Sequence, residues 1–174
     1  MKTVLLLRHA KSAWGNPALD DHERPLNRRG ERSAEAMADY IVQHAPRPDL
    51  ILCSTAVRTR LTLAPLMERL AAPAPPIALE RGLYLASESA LMDRLQSLPD
   101  EIGTVLLIGH NEGIGELGAR LPGQGPAALL IAVHEKFPTG ALAVFRVPID
   151  RWTDLATGSA ELVDFVKPKD LVPG

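Results

Sequence analysis

Arginine and histidine side chains follow three separate apolar runs of the sequence. Arg8 and His9 follow the first run, Arg58 lies shortly after the second, and His110 lies shortly after the third. A guanidinium group binds phosphoryl oxygens, and an imidazole can act as a nucleophile or carry a proton near neutral pH. In an open parallel sheet, ligands bind beyond the carboxyl ends of the strands. The four residues therefore predict a crevice that binds a phosphoryl group and uses a histidine in its transfer.

Six strands are expected to carry these residues, at positions 3–7, 50–53, 77–80, 104–108, 141–147 and 161–166. The first, second and fourth are rich in Val, Ile and Leu without polar alternation, which is typical of strands buried on both faces of a parallel sheet. The last two contain β-branched and aromatic residues, with no convincing helix between them. We expect these two to be antiparallel and to lie near an edge of the sheet.

Four helices are expected between the strands, at positions 28–44, 56–70, 90–98 and 112–121. The side chains of Asn27 and Ser87 are expected to cap the first and third helices, and Pro65 is expected to kink the second. Positions 122–126 are expected to form a loop. Alternating strands and helices predict an α/β fold, a three-layer sandwich with a mostly parallel central sheet and helices on both faces.

Composition narrows the class of protein. With 174 residues, 46% hydrophobic and 23% charged, the chain is expected to form a single domain over positions 1–174. Its 19 Lys and Arg residues against 21 Asp and Glu give a net charge of −2, which argues against nucleic-acid binding through phosphate neutralisation. No apolar stretch approaches the ~18 residues that a membrane span requires.

Cysteine content and the N-terminal segment bear on compartment and metal binding. The single cysteine, Cys53, excludes a disulfide framework and a cysteine-based zinc site. The apolar run near the N-terminus ends at Arg8, which is too short for a signal peptide, so the expected location is cytoplasmic. We expect no metal and no cofactor, and the sequence does not predict an oligomeric state.

Four ordered motifs carry a resemblance to a known family. They are Arg8-His9-Ala10-Lys11-Ser12, Asp21 with Arg24-Pro25-Leu26-Asn27-Arg28-Arg29-Gly30 after Trp14, Ser54-Thr55-Ala56-Val57-Arg58-Thr59, and Gly109-His110. Together they resemble the histidine phosphatase (phosphoglycerate mutase-like) superfamily. The form of the first two motifs is similar to the small SixA-type branch, as are Thr139-Gly140-Ala141 and Lys167-Pro168.

The resemblance implies a two-step phosphoryl transfer that needs no metal. His9 would attack the phosphorus and form a phosphohistidine that water then hydrolyses. The side chains that would hold the phosphoryl oxygens are those of Arg8, Arg58 and His110. Flanking arginines should lower the pKa of His9 and keep this nucleophile neutral. Lys11 and Ser12 are candidates for additional contacts with the substrate phosphate.

A general acid for the leaving group is less clearly marked. Glu80 and Asp21 are the candidates, with Asp20 beside the latter, although a strand end or a turn explains each equally well. The SixA-type branch is thought to work without a defined acid, which suits an imidazole leaving group with its pKa near 6.5. A protein phosphohistidine is therefore the expected substrate. The alternatives are a small phosphomonoester and a non-catalytic phosphate-binding module.

Two other patterns are expected to be structural. The glycines from Gly113 to Gly118 match G-x-G-x-x-G, but three residues separate them from the strand, and no acidic residue follows at the expected distance. Close helix packing explains them better than a dinucleotide site. His22, His44 and His134 match no metal-ligand spacing and no strand end, so we expect them to be surface or structural residues.

Overall fold

A computed structural model describes residues 1–172, and its seven strands form one mixed sheet. The strands are β1 (Lys2–Arg8), β2 (Leu50–Ser54), β3 (Ile77–Glu80), β4 (Thr104–Gly109), β5 (Pro122–Gln124), β6 (Leu142–Val147) and β7 (Ala160–Val166). Their order across the sheet is β3-β2-β4-β1-β6-β7-β5. The first four are parallel, β6 is antiparallel to both of its neighbours, and β5 is parallel to β7. All six expected strands are confirmed.

Five α-helices of the described residues cover the sheet. They are α1 (Arg28–His44), α2 (Val57–Arg69), α3 (Glu88–Gln96), α4 (Gly113–Arg120) and α5 (Ala127–Glu135). The two expected caps are confirmed, since Asn27 accepts a hydrogen bond from the Gly30 amide at 2.8 Å and Ser87 accepts one from the Ala90 amide at 3.2 Å. Helix α2 continues through Pro65 to its end, and the expected kink stays a prediction.

The segment between α4 and β6 differs from the expectation. Positions 122–126 were expected to be a loop, but the first three form the edge strand β5, which pairs with the start of β7. Helix α5 was not expected. Its sequence is almost uniformly apolar, so it lacks the 3.6-residue alternation by which an amphipathic helix is identified. Pairing and packing partners distant in sequence determine both elements.

The side chains of β1 alternate between two cores. Val4 and Leu6 pack on one face of the sheet with residues of α3, α4 and α5, whereas Leu5 and Leu7 pack on the other with residues of α1 and α2. Helices thus lie on both faces, which confirms the three-layer α/β sandwich. Strands buried on both faces need no polar alternation, and this explains their uniformly apolar sequences.

The chain segments that form the crevice all lie at one end of the strands of this sandwich. The parallel strands β1, β2 and β4 end there, β6 begins there, and β7 ends there, because Leu142 pairs with both Leu7 and Val166. None of the helices described within residues 1–172 is both long and apolar enough to cross a membrane.

Candidate active site

His9 lies directly after β1 and is held by its own backbone neighbour. Its Nδ1 is 2.6 Å from the carbonyl oxygen of Ala10. A carbonyl oxygen only accepts, so Nδ1 carries the proton, and a neutral His9 has its lone pair on Nε2. The amide of Ala10 donates to Thr62 on α2 at 2.9 Å, and the Thr62 hydroxyl donates to the Arg58 carbonyl at 2.7 Å. This chain of bonds connects the position of His9 to that of Arg58.

His110 lies opposite His9 at the end of β4. The two ring centroids are 5.3 Å apart, and both side chains are buried. His110 Nε2 shares a hydrogen bond of 2.8 Å with the Ser54 hydroxyl, which also accepts from the Ala56 amide at 3.2 Å. His110 Nδ1 is buried without a protein partner. The structure therefore brings the two expected histidines together. One nitrogen of each ring is held by a hydrogen bond to a protein group.

Arg8 and Arg58 also reach this point. Arg8 donates from Nη1 to the Phe137 carbonyl at 3.0 Å, and Arg58 donates from Nη1 and Nη2 to the backbone oxygen and carboxylate of Asp21 at 2.7 and 2.9 Å. The Nε atoms of both arginines are buried without a protein partner. Buried N–H groups in proteins are nearly always paired. Two such donors beside two imidazoles form a site suited to an oxyanion.

Asp21 joins several side chains beside the crevice. Its carboxylate accepts from Arg58, from Arg24 at 3.1 Å and from the Tyr84 hydroxyl. Arg24 lies over the exposed ring of Trp14, with 3.7 Å from its guanidinium carbon to the ring centroid. We refer to Asp21, Arg24, Arg58 and Tyr84 as the Asp21 network. In it, every formal charge has an oppositely charged partner.

Burial and neighbouring cations keep both histidines neutral. Burial is the main cause that lowers the pKa of His9 to about 4, and Arg58 and Arg8 lower it further. Burial, His9 and Arg58 together lower the pKa of His110 to about 3. The arginines act as the sequence predicts, but loss of hydration is the larger cause. At neutral pH both imidazoles therefore retain a lone pair.

The carboxylates considered as general acids are both ionised. Burial alone would raise the pKa of Asp21, but hydrogen bonds from Tyr84, Arg58 and Arg24 hold that pKa well below its usual range. Glu80 binds Arg94 through both oxygens at 2.7 and 2.8 Å, and this contact lowers the pKa of Glu80. An ionised carboxylate has no proton to donate, so the geometry argues against either residue as the acid. Asp20 is exposed and directly precedes the short 3₁₀ helix that begins at Asp21.

Lys11 and Ser12 differ in burial and in the groups they contact. Ser12 is buried and accepts a hydrogen bond of 2.7 Å from Arg24, so its hydroxyl supports the Asp21 network. The Lys11 side chain is exposed and lines a cavity next to Arg8. Direct contact of either with a substrate phosphate stays a prediction.

Tyr84 and His22 are neighbours of the site that the sequence did not reveal. Tyr84 meets the His110 ring edge-on at 5.3 Å between centroids, and His22 lies 4.9 Å from Tyr84 and 2.8 Å from the Thr55 hydroxyl. Tyr84 comes shortly after β3, so the strand-end rule used for the other residues would also have identified it. His22 could not have been identified in this way, because only the fold brings the loop before α1 to the carboxyl ends of the strands.

The G-x-G-x-x-G glycines pack α4 closely against its neighbours. A Cβ on Gly113 would lie 2.1 Å from the Ala86 carbonyl oxygen, and one on Gly118 would lie 3.1 Å from the Phe137 ring. These contacts explain the small residues by packing, as expected. Within residues 1–172, no group of three His, Cys, Asp or Glu side chains is arranged to hold a metal ion.

Comparison with known proteins finds similarity along nearly the whole chain. Residues 4–83 match the model of the histidine phosphatase superfamily (branch 1). An uncharacterized protein of Mycobacterium tuberculosis, MT1313, is 37% identical over 94% of this chain and 100% of its own length. Two solved structures are provisionally named phosphohistidine phosphatase SixA. The one from Nakamurella multipartitia has a TM-score of 0.79 at 30% identity, covering 96% of each chain. The one from Agrobacterium tumefaciens has a TM-score of 0.78 at 32% identity, covering 96% of this chain and 99% of the other.

Proposed function

The chain belongs to the histidine phosphatase superfamily and is a phosphatase, and from this premise we propose that His9 is its nucleophile and a protein phosphohistidine its substrate. One observation carries the assignment of the site. His9 Nε2 has its lone pair available near three buried nitrogens without protein partners, which are Nε of Arg8, Nε of Arg58 and Nδ1 of His110. A phosphoryl group has the charge and the oxygen atoms to satisfy all three donors.

In the first step, Nε2 of His9 attacks the substrate phosphorus. A new P–N bond forms to His9, and the bond from phosphorus to the leaving atom breaks, with its electron pair going to that atom. Arg8, Arg58 and His110 stabilise the charge on the equatorial oxygens. For His110 to donate from Nδ1, its Nε2 must accept from the Ser54 hydroxyl, and the 2.8 Å contact allows this.

In the second step, water attacks the phosphorus and the bond to His9 Nε2 breaks. The product is inorganic phosphate, and the imidazole recovers its lone pair. Throughout both steps, the Ala10 carbonyl accepts a hydrogen bond from Nδ1–H and stabilises the positive charge on the phosphorylated ring. The neutral state that the lowered pKa of His9 maintains is the state required for attack.

The choice of a phosphohistidine substrate rests on the leaving group. Contacts with arginines lower the pKa of both Asp21 and Glu80, so neither holds a proton at neutral pH that it could supply to a departing alkoxide. An imidazole protonated on its other nitrogen leaves as a neutral molecule and needs no acid, consistent with its pKa near 6.5. The two SixA-named structures are similar to this chain over 96% of its length, which supports the same substrate class.

Single-turnover kinetics on the full chain test this proposal. The enzyme is mixed, with a chelator present, either with a protein carrying phosphohistidine or with p-nitrophenyl phosphate. We expect rapid loss of phosphohistidine, and a loss of activity of at least about 10³-fold in His9→Ala. His134→Ala is the matched control because His134 is exposed at the end of α5, and it should behave like the wild type.

Each alternative outcome points to a different conclusion. Turnover of the ester alone, still dependent on His9, would keep the nucleophile and move the substrate to small phosphomonoesters. Full activity in a folded His9→Ala would overturn the nucleophile assignment. Binding of inorganic phosphate without turnover of either substrate would leave a phosphate-binding module.

A further inference from the structure

A cavity of about 680 Å³ lies next to the site formed by His9, Arg8, Arg58 and His110, which we call the phosphoryl site. Six of the twelve residues that line this cavity are basic. Its charged lining consists of Arg8, Lys11, Arg29, Lys136, Lys167 and Lys169, against one carboxylate from Glu135. We refer to these six basic residues and the space between them as the cationic cavity. Neither histidine of the site lines it. It is therefore a separate space from the phosphoryl site.

The basic residues of the cationic cavity lack ion-pair partners. In the part of the chain that the structure describes, no Asp or Glu oxygen lies within 4.0 Å of any of their charged nitrogens, whereas Arg69, Arg94 and Arg120 each have such a partner. Like charges around one space repel each other, so they do not stabilise the fold. In a protein with a net charge of −2, this concentration of positive charge indicates an anionic ligand.

The walls of the cationic cavity are firmly attached to the strand that carries His9. The amide of Gly140 donates to the carbonyls of Arg8 and His9 at 3.0 and 2.8 Å, and Gly140 has a φ of +77°, which favours glycine. A Cβ on Gly30 would lie 2.0 Å from the Lys11 carbonyl oxygen, so α1 packs directly on this segment. The backbone segments that carry these cationic side chains therefore keep a fixed position relative to the nucleophile.

Arg8 connects the two spaces. It lines the cationic cavity, its Nη1 is held by the Phe137 carbonyl, and its Nε is buried without a partner beside Arg58. An anion in the cavity would thus lie adjacent to the phosphoryl group at His9. Both groups could then belong to one substrate molecule.

We propose that the cationic cavity binds a second anionic group of the substrate, a carboxylate or phosphate separate from the phosphoryl group that is transferred. The inference rests on the proposed function, in which the substrate is a phosphohistidine in a protein. On such a substrate the second group is an acidic side chain near the phosphohistidine. On a small molecule it would be a second phosphate, which the experiment distinguishes.

Two phosphohistidine peptides of equal length test the proposal. One carries two Glu on each side of the phosphohistidine, and the other carries Gln at those positions. We expect the wild type to prefer the acidic peptide by about 10-fold in kcat/KM, mainly through KM, because several exposed charge pairs each contribute a few-fold. In K136M/K169M the preference should fall to about 2-fold, while hydrolysis of p-nitrophenyl phosphate, which has no second anion, stays unchanged.

The matched control removes two positive charges elsewhere. Arg146 and Arg151 are exposed and ion-paired, and Arg146 lies toward the far end of β6. R146M/R151M should keep the full preference for the acidic peptide. If it lost as much preference as the cavity variant, net charge alone would explain the effect, and the proposal would be wrong.

The remaining outcomes separate this inference from the proposed function. Equal hydrolysis of both peptides by the wild type would overturn the cationic cavity as a binding site and leave the phosphohistidine substrate intact. If neither peptide were hydrolysed, the proposed substrate would be wrong, and a hexose bisphosphate would be compared with the matching monophosphate. Preference for the bisphosphate that K136M/K169M loses would support the cavity with a second phosphate as its ligand. Equal rates would overturn it.

Discussion

The Asp21 network and the cationic cavity lie beside the same pair of histidines but differ in how their charges are paired. In the Asp21 network, Arg58 and Arg24 each contact the Asp21 carboxylate, at 2.9 and 3.0 Å. In the cationic cavity, no carboxylate oxygen of residues 1–172 lies within 4.0 Å of the charged nitrogen of a basic side chain. A paired cation is fixed in one orientation, whereas an unpaired one is available to a ligand.

This difference indicates two separate tasks for positive charge. Asp21 occupies both terminal nitrogens of Arg58, and the buried Nε that has no protein partner is the donor that we propose for the phosphoryl group. Preorganised donors of this kind stabilise a transition state without reorganising during the reaction. The cationic cavity instead has exposed side chains such as Lys136 and Lys169, which attract an anion without fixing its geometry. In the functions that we propose, the first task concerns the rate of chemistry, and the second concerns the choice of substrate.

The largest expected effect comes from Arg58→Lys. A lysine cannot hold Asp21 with two nitrogens while donating a third N–H to the phosphoryl group. We expect kcat/KM for p-nitrophenyl phosphate to fall on the order of 10²-fold, measured at saturating and limiting substrate. K136M/K169M provides the comparison on the other side of the site and should stay within about 2-fold of the wild type. A similar loss in both variants would show that the two groups of cations do not differ in role.

The next effect concerns pH. Protonated His9 has no lone pair, so the rate of phosphoenzyme formation should fall only as the pH drops through about 4, instead of the ordinary 6.5. In the unfolded chain a histidine takes up its proton near pH 6.5, whereas folded His9 does so only near pH 4. The free energy of unfolding should therefore decrease as the pH falls from about 6.5 toward 4. NMR titration of the ring protons of His9 and His110 measures the two pKa values on which both the rate and the free energy of unfolding depend.

The same titration distinguishes the two groups of cations. Arg24 is one of the charges that lower the pKa of His9, so Arg24→Gln should raise that pKa. No lysine of the cationic cavity is among those charges, and K136M/K169M should leave the titration of His9 unchanged. Midpoints near 6.5 for both histidines in the wild type would contradict the neutral pair.

The smallest effect is on stability. Asp21→Asn leaves the buried guanidinium of Arg58 without its carboxylate, and we expect the free energy of unfolding to fall by about 2 kcal/mol. K136M/K169M removes charges that have no partner and should change it by less than about 0.5 kcal/mol. Denaturant unfolding of both variants measures the difference. Equal destabilisation would mean that the cavity lysines have structural partners after all.

The parallel part of the sheet was predictable because its determinants are local. Each of β1, β2 and β4 contains a short run of apolar residues, and the caps at Asn27 and Ser87 are single residues next to their helices. Helix α5 and the edge strand β5 have no such local pattern. Packing against distant parts of the chain determines them. In β5, for example, a Cβ on Gly123 would lie 2.2 Å from the Gly158 carbonyl oxygen, so this strand packs closely on a segment 35 residues away.

The sequence by itself determined which residues stand at the strand ends, and therefore that His9, Arg8, Arg58 and His110 meet in one crevice. Covalent attachment to a strand dictates where such a side chain lies once the strands are parallel. Only the tertiary structure decided which groups accompany them. The contacts of Asp21 with Arg58 and Tyr84, and of Arg8 with Phe137, join positions 37, 63 and 129 residues apart. No local pattern encodes such pairings, because they depend on how loops and helices pack around the completed sheet.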